Sequence, residues 1–516
     1  MPDSALVGAN LADLVENAAV RRPDHTAVIS GGRRTSWSEL NWLVRAIAGG
    51  LSAAGLDRGD RVALMLDNSL EYVTSYFGIL RAGMVVVPIN TGYTATEIAT
   101  VLSSSGARVV ITDASRLVLA REAAPDTTTV VGVGTEAWRR LTVGSTPPSQ
   151  EDTDPESLAV LLYTSGTSDM PRAAMLTHRA MIANLQQLAR LEHPEAMRPD
   201  DVALVVLPLF HIYALNAALG MVAYQAATAV LVERFEAAES LELIERFGVT
   251  NVAGAPPMYI AWSSRPEAAE ALAGIRILIS GAAPLPASIF EQFATMGLTI
   301  WESYGMTEAA PAISSSMVRG VAKPGSVGAP LAGLEVRLLD ADGFDVDDGD
   351  PGEIVVRGPN LFSGYWPDGS GGPAADGWWP TGDVAIRDED GDLRLVDRIK
   401  ELIIVSGFNV YPREIESALV AAPGVAEVAV AGVDHPYTGE TVKAWVVPQT
   451  GATVTPEQVA AFGARRLARF KCPTIVEIVD SLPHSANGKV SKVILRGLDR
   501  LQQVSLVGNA VQAEDI

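Results

Sequence analysis

The sequence is poorest in cysteine: among 516 residues there is one, Cys472. A single thiol builds neither an internal disulfide framework nor a Cys-rich metal site. Positive charge is also short, with 39 Lys and Arg against 61 Asp and Glu, for a formal net charge of −22. A general nucleic-acid binder needs a basic face for phosphates, so nucleic acid is excluded as a partner. The plain meaning of the acid excess is solubility. Any anionic ligand must then be gripped by local backbone N–H groups and a few placed cations. The six histidines form no H-E-x-x-H site and no G-x-S-x-G elbow occurs, which removes two hydrolase classes. The P-loop pattern G-x-x-x-x-G-K-[ST] is missing too, since Val490 follows Gly488-Lys489. The start, Met-Pro-Asp-Ser-Ala-Leu, has no basic region leading into an apolar run, so no signal peptide is expected. Residues 212–232 carry no charge and are long enough to span a bilayer, but Asn216, Gly220, Gln225 and Thr228 interrupt them. A buried helix followed by a buried strand is expected there, with no transmembrane segment and a cytoplasmic location.

Apolar residues, by contrast, make up 48% of the chain, enough for two to four units of roughly 100–200 residues. Short apolar runs recur at 62–66, 85–89, 108–112, 158–163, 202–207, 228–232 and 275–279. Stretches with helical spacing lie among them at 40–54, 69–82, 179–191 and 237–247. This alternation predicts the α/β class, with parallel sheets covered on both faces. After about residue 325 the texture changes to short alternating segments at 334–339, 353–357, 384–387 and 392–396, separated by Asp/Gly-rich turns, which predicts a small antiparallel unit. An α+β pattern begins near 401, with helices at 412–421 and 456–468 and strands at 427–433, 442–447 and 475–479. A boundary is expected near 396–400.

Leu158–Tyr163 reads as a buried strand running into Thr164-Ser165-Gly166-Thr167-Ser168, with a helix starting around Thr177. Successive small residues let backbone N–H groups and hydroxyls converge on a phosphate. Composition alone favours a Ser/Thr/Gly surface loop. Other strings stand in order downstream: Ser280-Gly281-Ala282-Ala283-Pro284, Ser303-Tyr304-Gly305-Met306-Thr307-Glu308, Thr381-Gly382-Asp383, Asp397-Arg398-Ile399-Lys400-Glu401 and Ser485-Ala486-Asn487-Gly488-Lys489-Val490.

Together these strings resemble, over nearly the whole chain, the adenylate-forming superfamily of acyl- and aryl-CoA synthetases, luciferase and peptide-synthetase adenylation domains. The resemblance is nearest to fatty-acyl-CoA synthetase and coumarate-CoA ligase-like members. It implies a large N-terminal domain (1–396) of two buried α/β sheets plus a small β-barrel-like unit, a hinge at 397–400, and a small mobile α+β C-terminal domain (401–516). It implies ATP-dependent activation of a carboxylic acid, a fatty acid first, to acyl-AMP with release of pyrophosphate, followed by transfer to coenzyme A. An aryl acid, or an acyl carrier protein as acceptor, is the alternative. Peripheral membrane contact and a dimer stay open. A nucleotide-binding regulator without catalysis is a further rival.

Residue by residue, the resemblance assigns Thr164, Ser165, Gly166, Thr167, Ser168 and Arg172 to the phosphates. It lays adenine on Gly281, Ala282 and Ala283, with Tyr304 stacked on it and Ser303, Gly305, Met306 and Thr307 alongside. It gives Mg2+ to Glu308 and Thr164, the ribose to Asp383 and Arg398, the hinge to Lys400, and the second half-reaction to Gly407 and Asn409. Lys489 becomes the catalytic lysine and His211, in Leu207-Pro208-Leu209-Phe210-His211-Ile212-Tyr213-Ala214-Leu215-Asn216, an aromatic gate to the acyl pocket. The phosphate loop departs from the family pattern at Asp169, Arg172 and Ala173, which stand for Gly, Lys and Gly. Asp169 adds negative charge beside a phosphate site, and Arg172 replaces a point charge by a fork.

Overall fold

The computed structural model describes residues 10–143, 153–164, 172–398, 401–405, 408–435, 439–484, 490–492 and 494–497. Its contacts divide into two compact units. The first takes the chain through Val336 together with Val356–Trp379, and the second takes Arg337–Val355 together with the chain from Pro380 onward.

The first unit contains two sheets. One has nine strands in the order Ala329–Pro330, Ala312–Ser315, Ile300–Gly305, Ile277–Ser280, Asn251–Gly254, Val202–Val205, Thr228–Leu231, Thr26–Ser30 and Arg33–Ser36. The other has six, ordered Thr129–Gly132, Val109–Thr112, Arg61–Met65, Val85–Pro88, Leu158–Thr164 and Arg172–Thr177. The central strands are the continuous apolar runs. Val85–Pro88, Val109–Thr112 and Thr228–Leu231 are buried at every residue, as strands covered on both faces must be. Neighbouring strands pair in parallel because helices such as Leu70–Arg81 carry the chain back between them. Two helix starts carry reciprocal caps, Ser36 with Glu39 and Thr94 with Glu97. The larger sheet closes over an aromatic cluster in which Tyr259 meets Trp262 and Phe293 edge-on at centroid distances of 5.7 and 5.6 Å.

Residues 212–232 form a π-helical stretch Tyr213–Gly220, a short helix Met221–Gln225 and the strand Thr228–Leu231, as expected of a buried helix and strand. Among the described residues no helix is long and apolar enough to cross a membrane.

The helix expected around Thr177 is present, preceded by a strand that the sequence reading did not pick out. Arg172–Thr177 is a strand, antiparallel to Leu158–Thr164, with Tyr163 opposite Ala173 and Thr164 opposite Arg172. The helix His178–Ala189 follows, capped by the Thr177 hydroxyl, which accepts the Ala180 N–H. Ala, Met and Leu favour helix when isolated, but here pairing on both sides of the segment overrides that preference.

A four-stranded sheet, Glu335–Leu339, Gly352–Arg357, Trp379–Arg387 and Leu393–Arg398, has most of its residues in the second unit and occupies the stretch where a barrel-like part of the N-terminal domain was expected. The second unit's other sheet runs Phe408–Val410, Ile403–Val405, Gly439–Pro448 and Val425–His435, with Ile475–Ile478 parallel to Gly439–Pro448. The helices Pro412–Leu419 and Pro456–Gly463 pack on this sheet through Ile415, Leu419 and Val459.

Candidate functional site

The first strand of the hairpin expected to hold phosphate ends on Thr164, whose hydroxyl donates to the Arg172 carbonyl at 3.3 Å. Ser165, Gly166, Thr167, Ser168 and Asp169 lie outside the described residues. On its far side the strand Arg172–Thr177 meets residues 363–366: Met175 N–H donates to Gly364 O at 3.0 Å and Trp366 N–H to Ala173 O at 2.9 Å. This pairing brings in Tyr365, which the sequence reading missed. The Arg172 guanidinium lies 3.8 Å from the Tyr365 ring centroid, a cation–π stack that a planar fork makes better than an ammonium. Gly371 closes over both groups. Its φ is +67°, and a Cβ there would sit 3.1 Å from Arg172 and 3.3 Å from the Tyr365 ring. Ala173, another of the three departures from the family loop, is 3% exposed and packs into the core of the six-stranded sheet, so its methyl adds buried surface.

Tyr365 leads to the second station. Its hydroxyl donates to Glu308 Oε1 at 2.7 Å. Burial, then the Glu308 charge and the hydrogen bond it accepts, push the Tyr365 phenol well up, so it remains a donor. Glu308 is itself buried, in the one-turn helix Thr307–Ala309 that follows the strand Ile300–Gly305. Tyr304 is buried and Ser303 Oγ donates to Ser315 Oγ at 2.9 Å. At Gly305 any Cβ would fall 2.2 Å from the Pro311 carbonyl, so only glycine fits. Met306 N–H donates to that same carbonyl at 2.9 Å.

Three fully buried asparagines fasten the chain just beyond Glu308. Asn360 Nδ2 donates to Ala309 O at 2.7 Å, Asn216 Nδ2 to Ala310 O at 2.7 Å, and Asn184 Nδ2 to Ala312 O at 2.9 Å. Asn184 Oδ1 also accepts the Ala312 N–H at 3.2 Å. Asn216 donates in addition to Met181 O at 3.0 Å. Sequence reasoning noted Asn216 as an interruption of an apolar run and as the end of the acyl-pocket string, without a partner for it.

The expected acyl wall and adenine shelf meet at Tyr213. A Cβ on Gly281 would lie 3.1 Å from the Tyr213 ring, so the bare backbone leaves room for the ring there. The hydroxyls of Tyr213 and Tyr259 both donate to Ile279 O, at 3.3 and 2.7 Å, and burial pushes both phenols up. Ala282 is exposed with φ +69°, a left-handed conformation that costs a Cβ-bearing residue about 1 kcal/mol or more. Ala283 follows it, half-buried. His211 stacks at an angle on Phe210, with ring centroids 4.7 Å apart, and its carbonyl accepts the Leu215 N–H that opens the π-helical stretch.

The sequence profile of the AMP-binding enzyme family matches residues 15–366, and that of the AMP-binding enzyme C-terminal domain matches residues 414–489. The chain belongs to the AMP-binding enzyme family. Feruloyl-CoA synthase of Amycolatopsis sp is 38% identical over 486 residues, which cover 91% of this chain and 95% of that protein. Long-chain-fatty-acid–CoA ligase of Yersinia pestis is 34% identical over 529 residues, covering 95% and 94%. The crystal structure of ATP-bound MatB from Rhodopseudomonas palustris matches with a TM-score of 0.88 at 34% identity, over 95% of this chain and 99% of that one. As an AMP-binding enzyme, the chain is an AMP-forming acyl-CoA synthetase, which activates a carboxylic acid as acyl-AMP and passes the acyl group to coenzyme A.

In the second unit of this AMP-binding enzyme, Asp383 is buried, and its N–H donates to the Thr381 hydroxyl at 3.1 Å. Asp383 stands opposite Arg398 in the antiparallel register, so the two residues expected at the ribose are cross-strand partners. Asn409 pairs with Ile404 through the backbone. Lys400, Gly407 and Lys489 lie outside the described residues.

Proposed function

We propose that this synthetase takes an apolar acid, a fatty acid in the first instance. The supporting observation is the wall after His211. Residues 212–232 hold no charge, and Ala214, Leu215, Ala218 and Leu219 are buried along the π-helical stretch. An amino-acid substrate would need an acidic partner for its ammonium there. The closeness of the Tyr213 ring to Gly281 favours a second reading, an aryl acid that stacks on that ring.

In this reading the backbone amides and hydroxyls of Thr164–Ser168 hold the phosphates, Tyr304 stacks on adenine over Gly281–Ala283, and Asp383 with Arg398 holds the ribose. Ser303, Gly305, Met306 and Thr307 complete the nucleotide wall, and His211 gates the acid. Lys489 places one ammonium where charge develops between the acid carboxylate and the α-phosphate. No side chain is acylated. Residues 397–400 form the hinge, Lys400 its pivot, and Gly407 and Asn409 serve the transfer to coenzyme A.

Mg2+ takes hard oxygen ligands and shares its shell with phosphates and water. Glu308 offers a carboxylate pinned on one oxygen by Tyr365, and Thr164 offers a hydroxyl, so both donors suit that ion. Bound there, Mg2+ would neutralise phosphate charge as pyrophosphate leaves.

Purified protein given ATP, Mg2+ and a panel of fatty and aryl acids should release AMP and pyrophosphate. No pyrophosphate exchange with any acid refutes the proposal. Thioester on adding coenzyme A identifies the acceptor, whereas adenylate that accumulates until a carrier protein is added identifies the alternative.

A further inference from the structure

A buried charged cluster in the second unit has no role in the chemistry above. The Lys492 side chain is 12% exposed, and its ammonium lies 2.9 Å from a carboxylate oxygen of Glu401 and 2.9 Å from one of Glu416. Glu416, on the helix Pro412–Leu419, also accepts the Val430 N–H at 2.8 Å. Asp397 is buried beside them and accepts the Arg413 N–H at 2.9 Å. Burial pushes the Glu416 carboxyl up, opposed by Lys492. Burial also works against the Lys492 charge, but Glu416, Glu401 and Asp397 outweigh it and the amine ends above its ordinary value. Lys492 thus bridges Glu401 and Glu416, and the Asp397 charge acts on it as well.

The positions of these groups along the chain give the cluster meaning. Asp397 and Glu401 bracket residues 398–400, and Lys492 comes three residues after Lys489. A buried ion pair is a poor device for stability alone, since apolar groups of the same volume do as well or better. It does hold two particular segments to one another.

We propose that Lys492 is a positioning residue that ties the segment carrying Lys489 to the hinge at Glu401. The catalytic lysine then takes its place with the turn of the hinge. This rests on the roles given above to Lys489 and to residues 397–400.

The test uses the full-length chain with Lys492→Met and Lys492→Arg. Lys492→Met should lower kcat for pyrophosphate exchange about tenfold or more, with the ATP KM within about twofold and thioester formation from supplied acyl-AMP within about threefold. Tryptic cleavage after Lys400 should quicken by about threefold or more, because local opening then costs less. Lys492→Arg should restore both. Where Lys492→Met fails to fold, Glu401→Gln breaks only the hinge side of the link and should show the same split. Equal loss in both half-reactions, or an unchanged cleavage rate, would overturn the proposal. Absence of pyrophosphate exchange in the unaltered protein would instead refute the adenylation reading, and the cleavage rates would still decide whether the tie exists.

Discussion

Residues 309–312, just after Glu308, are held by neutral amides, while Lys492, just after Lys489, is held by carboxylates. In the first unit Asn184, Asn216 and Asn360 clasp backbone groups of Ala309, Ala310 and Ala312 at 2.7 to 3.2 Å. Such bonds weaken steeply with distance and angle, so they fix one geometry. In the second unit a flexible ammonium sits among Glu401, Glu416 and Asp397. Coulomb attraction falls only as the inverse of distance, so a charged link survives small shifts that would break an amide clasp. The carboxylate proposed for the metal is built into a fixed station. The lysine proposed to move is moored by charge.

The largest test of this contrast is Lys489→Ala. Adenylation should fall by about 100- to 1,000-fold, read as pyrophosphate exchange, with the thermal midpoint unchanged. An unchanged rate would remove Lys489 from the chemistry and leave its mooring without a purpose. Next, Asn216→Leu strips the donor from the Met181 and Ala310 carbonyls and should destabilise the fold by about 2–4 kcal/mol in urea titrations. A loss under about 1 kcal/mol would break the comparison on the amide side.

His178, also in the first unit, is a buried group kept neutral. Its Nδ1 accepts the Leu11 N–H at 3.1 Å, and burial, with a lesser contribution from Arg58, pushes its pKa down to about 4. The folded value lies below the unfolded one, so this group's contribution is complete above about pH 6.5 and is lost as pH falls from there towards 4, roughly 3 kcal/mol in all. Unfolding midpoints at pH 7 and pH 4.5 should differ by less in His178→Gln than in the unaltered protein. Smaller still is Tyr365→Phe, which frees one Glu308 oxygen and should raise the Mg2+ concentration for half-maximal exchange about tenfold. Arg172→Lys, which keeps the charge but loses the planar stack, should change nucleotide affinity by only about two- to fivefold by isothermal titration.

The strands of the first unit were legible because strands buried on both faces leave continuous apolar runs, as at 85–89 and 228–232. The antiparallel pieces after residue 325 showed through their Asp-Gly turns. Arg172–Thr177 was not legible, because its residues favour helix and only pairing makes them a strand. The Glu308 station was half legible. The motif 303–308 is contiguous, whereas Tyr365 stands 57 residues beyond Glu308, and Asn184 and Asn216 lie 128 and 94 residues before the carbonyls they reach. A lone asparagine in an apolar segment signals a buried polar contact, but its partner is set by the fold.

The strand Arg172–Thr177 is also the margin of its sheet. A bare sheet margin offers unpaired amides and carbonyls to other chains, and proteins cover such margins to stay apart. Residues 363–366 do this through Met175 with Gly364 and Trp366 with Ala173. The segment that delivers Tyr365 to Glu308 therefore doubles as a seal against self-association, and a chain shortened across it should accumulate as aggregate before any question of catalysis arises.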